Sequence, residues 1–299
     1  PQRVRLRHRA SATEPGRTQR GSREVLKPTL WMIGIAVCLG ETLAASAAPL
    51  EWTVVRGVFH EASVVSIAAS AAQPARMMAA TTRAVYESTD GGEHWQERFR
   101  LPANTTAAML AISAAPDAAI LLATDQGLYG SFDNGAHWQR VFRGIGEDER
   151  ACLSVAFAPA APATALLGTG GGLFISRDSG RTWQPAGPAP GARPILHIAP
   201  DPHDADRVFV ATGRGVSVGR LAAGQWQERL ITIRAEEQAV EESDADKAEG
   251  ETDLLHHLSA VAADPDVPDT IYVGSARGVA RSRDAGATWE PLTRSGLVS

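Results

Sequence analysis

The chain has 299 residues, 44% of them hydrophobic, and a formal net charge of −5 at pH 7. This length and apolar content are sufficient for one large domain. Lysine occurs only twice and no basic stripe follows the N-terminal region, which argues against nucleic-acid binding. The two cysteines have no metal-type spacing to histidine, so no zinc site is predicted.

The N-terminal part consists of two segments of different character. Residues 1–24 are polar and carry seven arginines, and they are interpreted as a disordered basic tail or as non-native upstream sequence, since no initiator methionine is present. Residues 25–48 combine a basic flank, the apolar run 30–39 and an alanine-rich stretch through Ala47 and Ala48. This order is typical of a cleaved secretory signal peptide, and a membrane anchor through 30–39 is the alternative. We therefore expect export to the periplasm or the cell exterior.

The remaining residues, 49–299, contain an eight-residue pattern, S-x-D-x-G-x-[TH]-W, in four copies. A degenerate fifth copy ends at Trp226, and the five tryptophans stand 43, 45, 43 and 63 residues apart. A period of this size indicates one supersecondary unit per repeat. The four clear copies share Ser88, Asp90, Gly92 and Trp95; Ser131, Asp133, Gly135 and Trp138; Ser176, Asp178, Gly180 and Trp183; and Ser282, Asp284, Gly286 and Trp289.

Each repeat carries four short strand patterns separated by turn residues, and none has a sustained helical period. Four-stranded sheets repeated around an axis form a β-propeller. We therefore predict an all-β propeller with five four-stranded antiparallel blades. In each eight-residue turn, we expect a buried aspartate that bonds to the backbone, a glycine with positive φ, and a tryptophan that packs one blade against another.

The segment 50–56 matches the last strand of a repeat but precedes the first full repeat. It is therefore predicted to be an orphan N-terminal strand. Five repeats and one orphan strand fit either a small ring with an extra strand or an incomplete larger ring. We favour the incomplete ring.

The eight-residue pattern resembles the Asp-box, or BNR, repeat of sialidases, some glucan hydrolases, sortilin-type receptors and photosystem II stability/assembly factors. The stretch 123–138, A-T-x-x-G-L-Y-x-S-x-D-x-G-x-x-W, is most similar to the last group. The resemblance covers residues 52–299 and implies that the aspartate turns lie at the blade periphery and are structural. It also implies a scaffold that helps a membrane complex to assemble.

The candidate catalytic groups are carboxylates and histidines. Asp201 and Asp264 occupy equivalent positions after the first strand of their repeats, which favours turn chemistry over a catalytic pair. His94 and His137 replace threonine inside two of the turns and are interpreted as turn residues. No catalytic, cofactor-binding or metal-binding residue is predicted.

An acidic insertion accounts for the longest spacing between tryptophans. It spans 235–253, and residues 236–253 hold nine acidic residues and one lysine. We expect a solvated, mobile loop that is dispensable for folding; contact with a basic partner or a divalent cation is the alternative. The residues of this possible contact are Glu236, Glu237, Glu241, Glu242, Asp244 and Asp246.

Together these features predict an exported, non-catalytic propeller that binds a protein partner and acts as an assembly or stability factor for a membrane complex. The alternative is a carbohydrate-active BNR-repeat protein, either a glycoside hydrolase or a glycan-binding protein. A groove with paired carboxylates and exposed aromatic side chains would favour the alternative.

Overall fold

The computed structural model describes residues 63–70, 73–114, 119–187, 194–213, 215–229, 258–275 and 278–292. Four predicted features lie outside these ranges: the basic tail, the signal segment, the orphan strand and the acidic insertion with its six candidate contact residues. Within the described ranges, no helix has the length and apolar character needed to cross a membrane.

Twenty described strands form five four-stranded antiparallel sheets, which we call blades 1 to 5 in chain order. Blade 1 contains β1 (Val64–Ala69), β2 (Met77–Thr81), β3 (Ala84–Ser88) and β4 (Gln96–Arg100). Blade 2 contains β5 (Ala107–Ile112), β6 (Ile120–Thr124), β7 (Gly127–Ser131) and β8 (Gln139–Phe142). Blade 3 follows the short helix α1 (Glu147–Arg150) and contains β9 (Cys152–Ala158), β10 (Ala161–Thr169), β11 (Leu173–Ser176) and β12 (Gln184–Pro185).

The last two blades have the same strand order. Blade 4 contains β13 (Ile195–Pro200), β14 (Arg207–Thr212), β15 (Gly215–Arg220) and β16 (Gln225–Arg229). Blade 5 contains β17 (Leu258–Ala263), β18 (Ile271–Ser275), β19 (Gly278–Ser282) and β20 (Glu290–Pro291). The all-β architecture of five four-stranded antiparallel blades is therefore confirmed.

The blades pack in sequence through their first strands. Strand β1 contacts β5, β5 contacts β9, β9 contacts β13, and β13 contacts β17. Between the elements that the structure describes, no comparably extensive contact joins blade 5 to blade 1. This arrangement agrees with an incomplete ring and places the fourth strand of each blade at the periphery.

The hydrophobic core lies between adjacent blades. One cluster combines Met78 and Val85 of blade 1 with Leu110 and Leu122 of blade 2. Equivalent clusters join blades 2 and 3, blades 3 and 4, and blades 4 and 5. Each blade thus buries both faces of its second strand, which explains why these strands have uninterrupted apolar sequences rather than alternating ones.

One side-chain hydrogen bond recurs between the second and third strands of every blade. A hydroxyl side chain at the end of the second strand donates a hydrogen bond to the carbonyl oxygen three residues later. The five hydroxyl residues are Thr81, Thr124, Thr169, Thr212 and Ser275. This bond satisfies a backbone carbonyl at a short connection and accounts for the A-T, G-T and G-S pairs at the ends of these apolar runs.

A buried ion cluster ties blade 1 to blade 2. The Arg76 Nε donates to Glu87 Oε1 at 2.6 Å, and the Arg98 Nε donates to Glu87 Oε2 at 2.6 Å. The remaining Arg76 nitrogens donate to Asn134 Oδ1 and to the Asn134 carbonyl, each at 3.0 Å. Because Asn134 lies in the eight-residue turn of blade 2, the cluster holds that turn against blade 1.

A related clamp joins blades 4 and 5. Arg207, which occupies in blade 4 the position of Arg76 in blade 1, pairs with Asp201 in its own blade. It also reaches Asp269 in the β17–β18 loop, where the Nη1–Oδ1 distance is 2.6 Å. Each of the two arginines therefore links its own blade to the next one, although their partners differ.

Candidate functional site

The four eight-residue turns share one hydrogen-bond network, centred on the serine. In blade 2, the Ser131 hydroxyl donates to Asp133 Oδ1 at 2.9 Å and accepts the Gly135 N–H at 2.8 Å. The same pair of bonds occurs in the turns of blades 1, 3 and 5. All four serines are almost fully buried, the most exposed being 1% accessible.

The aspartates bond to the backbone as predicted, but the expectation that they are buried is wrong. In blade 2, the Asp133 Oδ1 accepts the His137 N–H at 2.9 Å, yet 44% of the aspartate side chain is exposed. Asp90 and Asp284 are also exposed, and Asp178 is half-buried. The serine is the buried member of the network because it lies at the end of a strand, whereas the aspartate stands on the outer side of the turn.

Histidine and threonine have the same role in these turns. In blades 3 and 5, Thr182 and Thr288 donate their hydroxyls to the aspartate Oδ2 at 2.6 Å. In blades 1 and 2, the Nδ1 atoms of His94 and His137 lie 2.6 and 2.5 Å from the corresponding oxygen. An imidazole nitrogen therefore replaces the hydroxyl, and both histidines belong to the turn.

Each turn has two consecutive residues with positive φ. The glycines that precede the tryptophans by three positions have φ of 96°, 88°, 90° and 90°. The residue before each of them is also left-handed, including Asn134 at 62° and Ala285 at 55°. The positive φ of the glycine was predicted, but that of the residue before it was not, since four different residue types occupy that position.

The tryptophan indoles close the network. In four blades, the Nε1 donates to the carbonyl of the turn glycine at 3.0 or 3.1 Å. Blade 4 differs, since Trp226 pairs directly with Gly219 in a regular hairpin and its buried Nε1 has no partner among the described residues. A Cβ at position 219 would lie 2.3 Å from the Trp226 ring. The serine-to-glycine change in the degenerate copy therefore makes room for the indole.

Hydrogen bonds lower the pKa of all four turn aspartates. The His137 backbone N–H and then its imidazole lower the pKa of Asp133 to about 2. The same two groups of His94 hold the pKa of Asp90 well below its usual range. Burial acts to raise the pKa of Asp178, but hydrogen bonds from Thr182, Ser176 and the Arg181 backbone together outweigh it and bring the value to about 2.

One group of side chains in the described ranges has the spacing of metal ligands. The potential ligand atoms of Asp90, Glu93 and His94 lie within 4.8 Å of one another. All three side chains are exposed, and two of them are already hydrogen-bonded to each other. The arrangement is explained by the turn itself.

The end of the molecule at which each chain segment enters a new blade is here called the linker end. It includes the loop β8–β9 and the beginnings of the first strands. Three of the four exposed large hydrophobic side chains in the described ranges are at this end: Ile145 at 97% exposure, Val64 at 41% and Val65 at 39%. The fourth, Val267, lies in the β17–β18 loop at the opposite end. Sequence reasoning did not identify any of these four.

Comparison with known proteins supports the fold. No family model and no curated protein matches the chain. Among solved structures, a GH74 xyloglucanase from Xanthomonas campestris is similar with a TM-score of 0.57 and 21% identity over 77% of this chain and 38% of that enzyme. YCF48 bound to D1 peptide gives a TM-score of 0.50 and 16% identity, over 76% of this chain and 65% of that one.

A nidogen/laminin complex gives a TM-score of 0.56 at 8% identity, over 78% of this chain and 79% of that chain. At these identities, the likeness concerns the fold. The chain is a β-propeller. It spans less than two fifths of the length of the GH74 enzymes that it matches.

The candidate carboxylate pair of the propeller, Asp201 and Asp264, consists of buried turn residues. The Asp201 Oδ1 accepts the His203 N–H at 2.8 Å, and its other oxygen pairs with Arg207. The Asp264 Oδ1 accepts the N–H of Asp266 at 2.9 Å, and its Oδ2 accepts the Tyr272 hydroxyl at 3.2 Å. Both carboxylates are therefore hydrogen-bonded within their own blades.

We expect Ser131→Ala to destabilise the propeller by about 1–3 kcal/mol, because it leaves the buried Gly135 N–H without an acceptor. Urea unfolding followed by tryptophan fluorescence measures the change. Ser259→Ala, which alters an exposed serine in β17, is the control and should change the free energy of unfolding by less than about 0.5 kcal/mol. Equal effects of the two substitutions would contradict the buried-serine network.

The turn aspartates should make the propeller sensitive to acid. Since the pKa of Asp133 falls from 3.8 to about 2 on folding, the unfolded chain binds its proton first as the pH falls. The stabilisation is complete above about pH 4 and is lost between about pH 4 and pH 2. In Asp133→Asn, urea midpoints measured across this range should fall less steeply than in the wild type. An identical pH dependence would show that this carboxylate does not contribute.

Proposed function

We propose that this chain is an exported, non-catalytic β-propeller of the Asp-box type that binds a protein partner and supports assembly of a membrane complex. The observation that carries the proposal is that three of the four exposed large apolar side chains in the described ranges lie at the linker end. Burying such exposed apolar side chains against a partner would favour association. Resemblance of the repeat to photosystem II stability/assembly factors supplies the suggestion of a membrane complex.

Two structural neighbours are consistent with this proposal. YCF48 was solved with a D1 peptide bound to it, and the nidogen propeller was solved in complex with laminin. Both show that a protein of this shape can hold a protein ligand. The four regular turns would then serve to keep the blades rigid, so that the linker end is preorganised for its partner.

The GH74 neighbours support the second candidate, a carbohydrate-active protein. A glycosidase of the usual kind needs one carboxylic acid with a raised pKa to protonate the leaving group. Among the described residues, every aspartate or glutamate with a resolved shift has a lowered pKa instead. Turn and arginine contacts cause these shifts, so these six carboxylates are not suited to that acid role.

The proposal is tested by quantitative co-purification from detergent-solubilised membranes of the source organism. The tagged wild-type chain should retain a specific protein in a fixed ratio. The triple variant Ile145→Ser, Val64→Ser and Val65→Ser should lose that protein. Retention of the same proteins by both would refute a linker-end interface. Hydrolysis of, or saturable binding to, soluble glucans by the wild-type chain would instead support the carbohydrate-active candidate.

A further inference from the structure

One position beside the regular eight-residue turns can be compared across four blades. The residue before each turn serine pairs with the first residue of the fourth strand. The four pairs are Glu87 with Gln96, Gly130 with Gln139, Ile175 with Gln184, and Arg281 with Glu290. The residue after the serine completes each place, which we call the turn-side place of its blade.

Blades 1 and 2 fill the turn-side place with their own side chains. In blade 1, Glu87 accepts hydrogen bonds from Arg76 and Arg98, each at 2.6 Å. In blade 2, a Cβ at position 130 would lie 3.2 Å from the Phe132 Cζ, so the phenyl ring lies over Gly130. One blade therefore uses charged groups at this place, and the other uses an aromatic ring.

Blade 5 fills the turn-side place with an ion cluster. The Arg281 Nε donates to Glu290 Oε1 at 2.6 Å, and the Arg283 Nε lies 3.2 Å from the same oxygen. One carboxylate thus neutralises two guanidinium groups beside the turn. The cluster shows that a carboxylate is the natural partner of an arginine that follows the turn serine.

In blade 3, the turn-side place is a pocket instead. A cavity of about 280 Å³ is lined by Ile175, Arg177, Asp178, Thr182, Trp183 and Gln184. Ile175 is only 4% exposed and forms the apolar floor, whereas Arg177 and Gln184 are exposed. Among the residues that the structure describes, neither of these two polar side chains has a hydrogen-bond or ion-pair partner.

The pocket retains the arginine of the blade 5 cluster but lacks its carboxylate. Gln184 stands where blade 5 has Glu290, and Ile175 stands where blade 5 has Arg281. Asp178 cannot replace the missing group, because its Oδ1 accepts the Thr182 N–H at 2.8 Å and its Oδ2 accepts the Thr182 hydroxyl at 2.6 Å. The carboxylate partner of Arg177 is therefore absent from its own blade.

We propose that the blade 3 pocket binds a carboxylate carried on a short apolar stem, with Arg177 as its charged ligand. A guanidinium group can hold a carboxylate through two parallel N–H···O bonds, and the Gln184 amide supplies a further donor. The stem would contact Ile175 and the Trp183 ring. Such a group occurs in free dicarboxylic acids and in the glutamate side chain of a protein.

The pocket is tested by NMR titration of the full chain, observing the Arg177 Nε–H and the Gln184 side-chain amide. Glutarate represents the free acid, and N-acetylglutamate α-amide represents the protein side chain. Saturable shifts with at least one of them, at a Kd of about 1 mM, are expected, and the better ligand identifies the source. Glutaramide, which has the same length and no charge, should bind at least ten-fold more weakly.

The repeats offer matched variants. Arg177→Gln should weaken binding at least ten-fold, whereas Arg283→Gln removes the equivalent arginine of blade 5, already paired, and should leave binding unchanged. Gln184→Glu restores the carboxylate of the blade 5 cluster beside Arg177 and should abolish binding. Absence of a saturable shift, equal binding of glutaramide, or unchanged binding in Arg177→Gln would overturn the inference. The eight-residue turns lie at the end opposite the linker end, so such a result would leave the proposed function standing.

Discussion

Glu87→Ala is expected to lower the free energy of unfolding by about 3–5 kcal/mol, because it leaves Arg76 as an uncompensated buried charge. The side chains of Arg76 and Glu87 are only 9% and 6% exposed. Arg76 also carries the contact to Asn134, so the second blade should loosen along with the first. Urea unfolding monitored by fluorescence measures the loss, and hydrogen exchange should show that it is concentrated at blades 1 and 2.

Glu97→Ala is the matched control for this experiment. Glu97 lies on the neighbouring strand and pairs with Arg100 at 2.7 Å, but its side chain is 35% exposed and that of Arg100 is 56% exposed. An exposed ion pair of this kind contributes about 0–1 kcal/mol. If both substitutions cost the same, burial of the ion cluster is not what makes Glu87 important.

The architecture was predictable because each blade repeats the same local requirements. Apolar runs of five residues ending in threonine or serine, a glycine turn and the eight-residue pattern recur at a regular spacing. These signals depend on backbone conformation and on burial of whole strands, and both leave a mark on composition. The predicted strands and the predicted positive φ of the turn glycines are accordingly confirmed.

Side-chain burial inside the turns was less predictable. The pattern contains two residues that can bond to the backbone, Ser131 and Asp133 in blade 2, and nothing in their order tells which one faces the core. The structure shows that the serine does. Similarly, Arg76 has a charged counterpart in Arg207 of blade 4, but the position of Glu87 holds glycine, isoleucine, valine or arginine in the other blades. No repeat signal therefore identifies their cluster.

The linker end could not be deduced from the repeats either. The connections between blades differ in length and composition, and an isolated isoleucine in such a connection has no distinctive pattern. The loop that carries Ile145 is bonded to Gly170 and Gly171, which are distant in the sequence. Only the three-dimensional structure shows that hydrogen bonds fix the backbone of this loop while the side chain of Ile145 stays exposed to solvent.

Gly168→Val is expected to destabilise the propeller by about 3 kcal/mol through overpacking between blades 3 and 4. A Cβ at this position would lie 2.6 Å from Cγ2 and 2.9 Å from the carbonyl oxygen of Ile195. Ile195 is fully buried at the start of β13, so neither its side chain nor its backbone has room to move aside. The first strand of blade 4 must therefore shift away from blade 3.

Gly213→Val is the control, because a Cβ there meets no atom within 4 Å. Thermal unfolding of both variants separates the cost of losing a glycine from the cost of the collision. We expect a clear drop in the melting temperature for Gly168→Val and a small change for Gly213→Val. Similar melting temperatures would mean that blades 3 and 4 can separate without loss of stability. The close approach of β10 to β13 would then not be a source of cohesion in the ring.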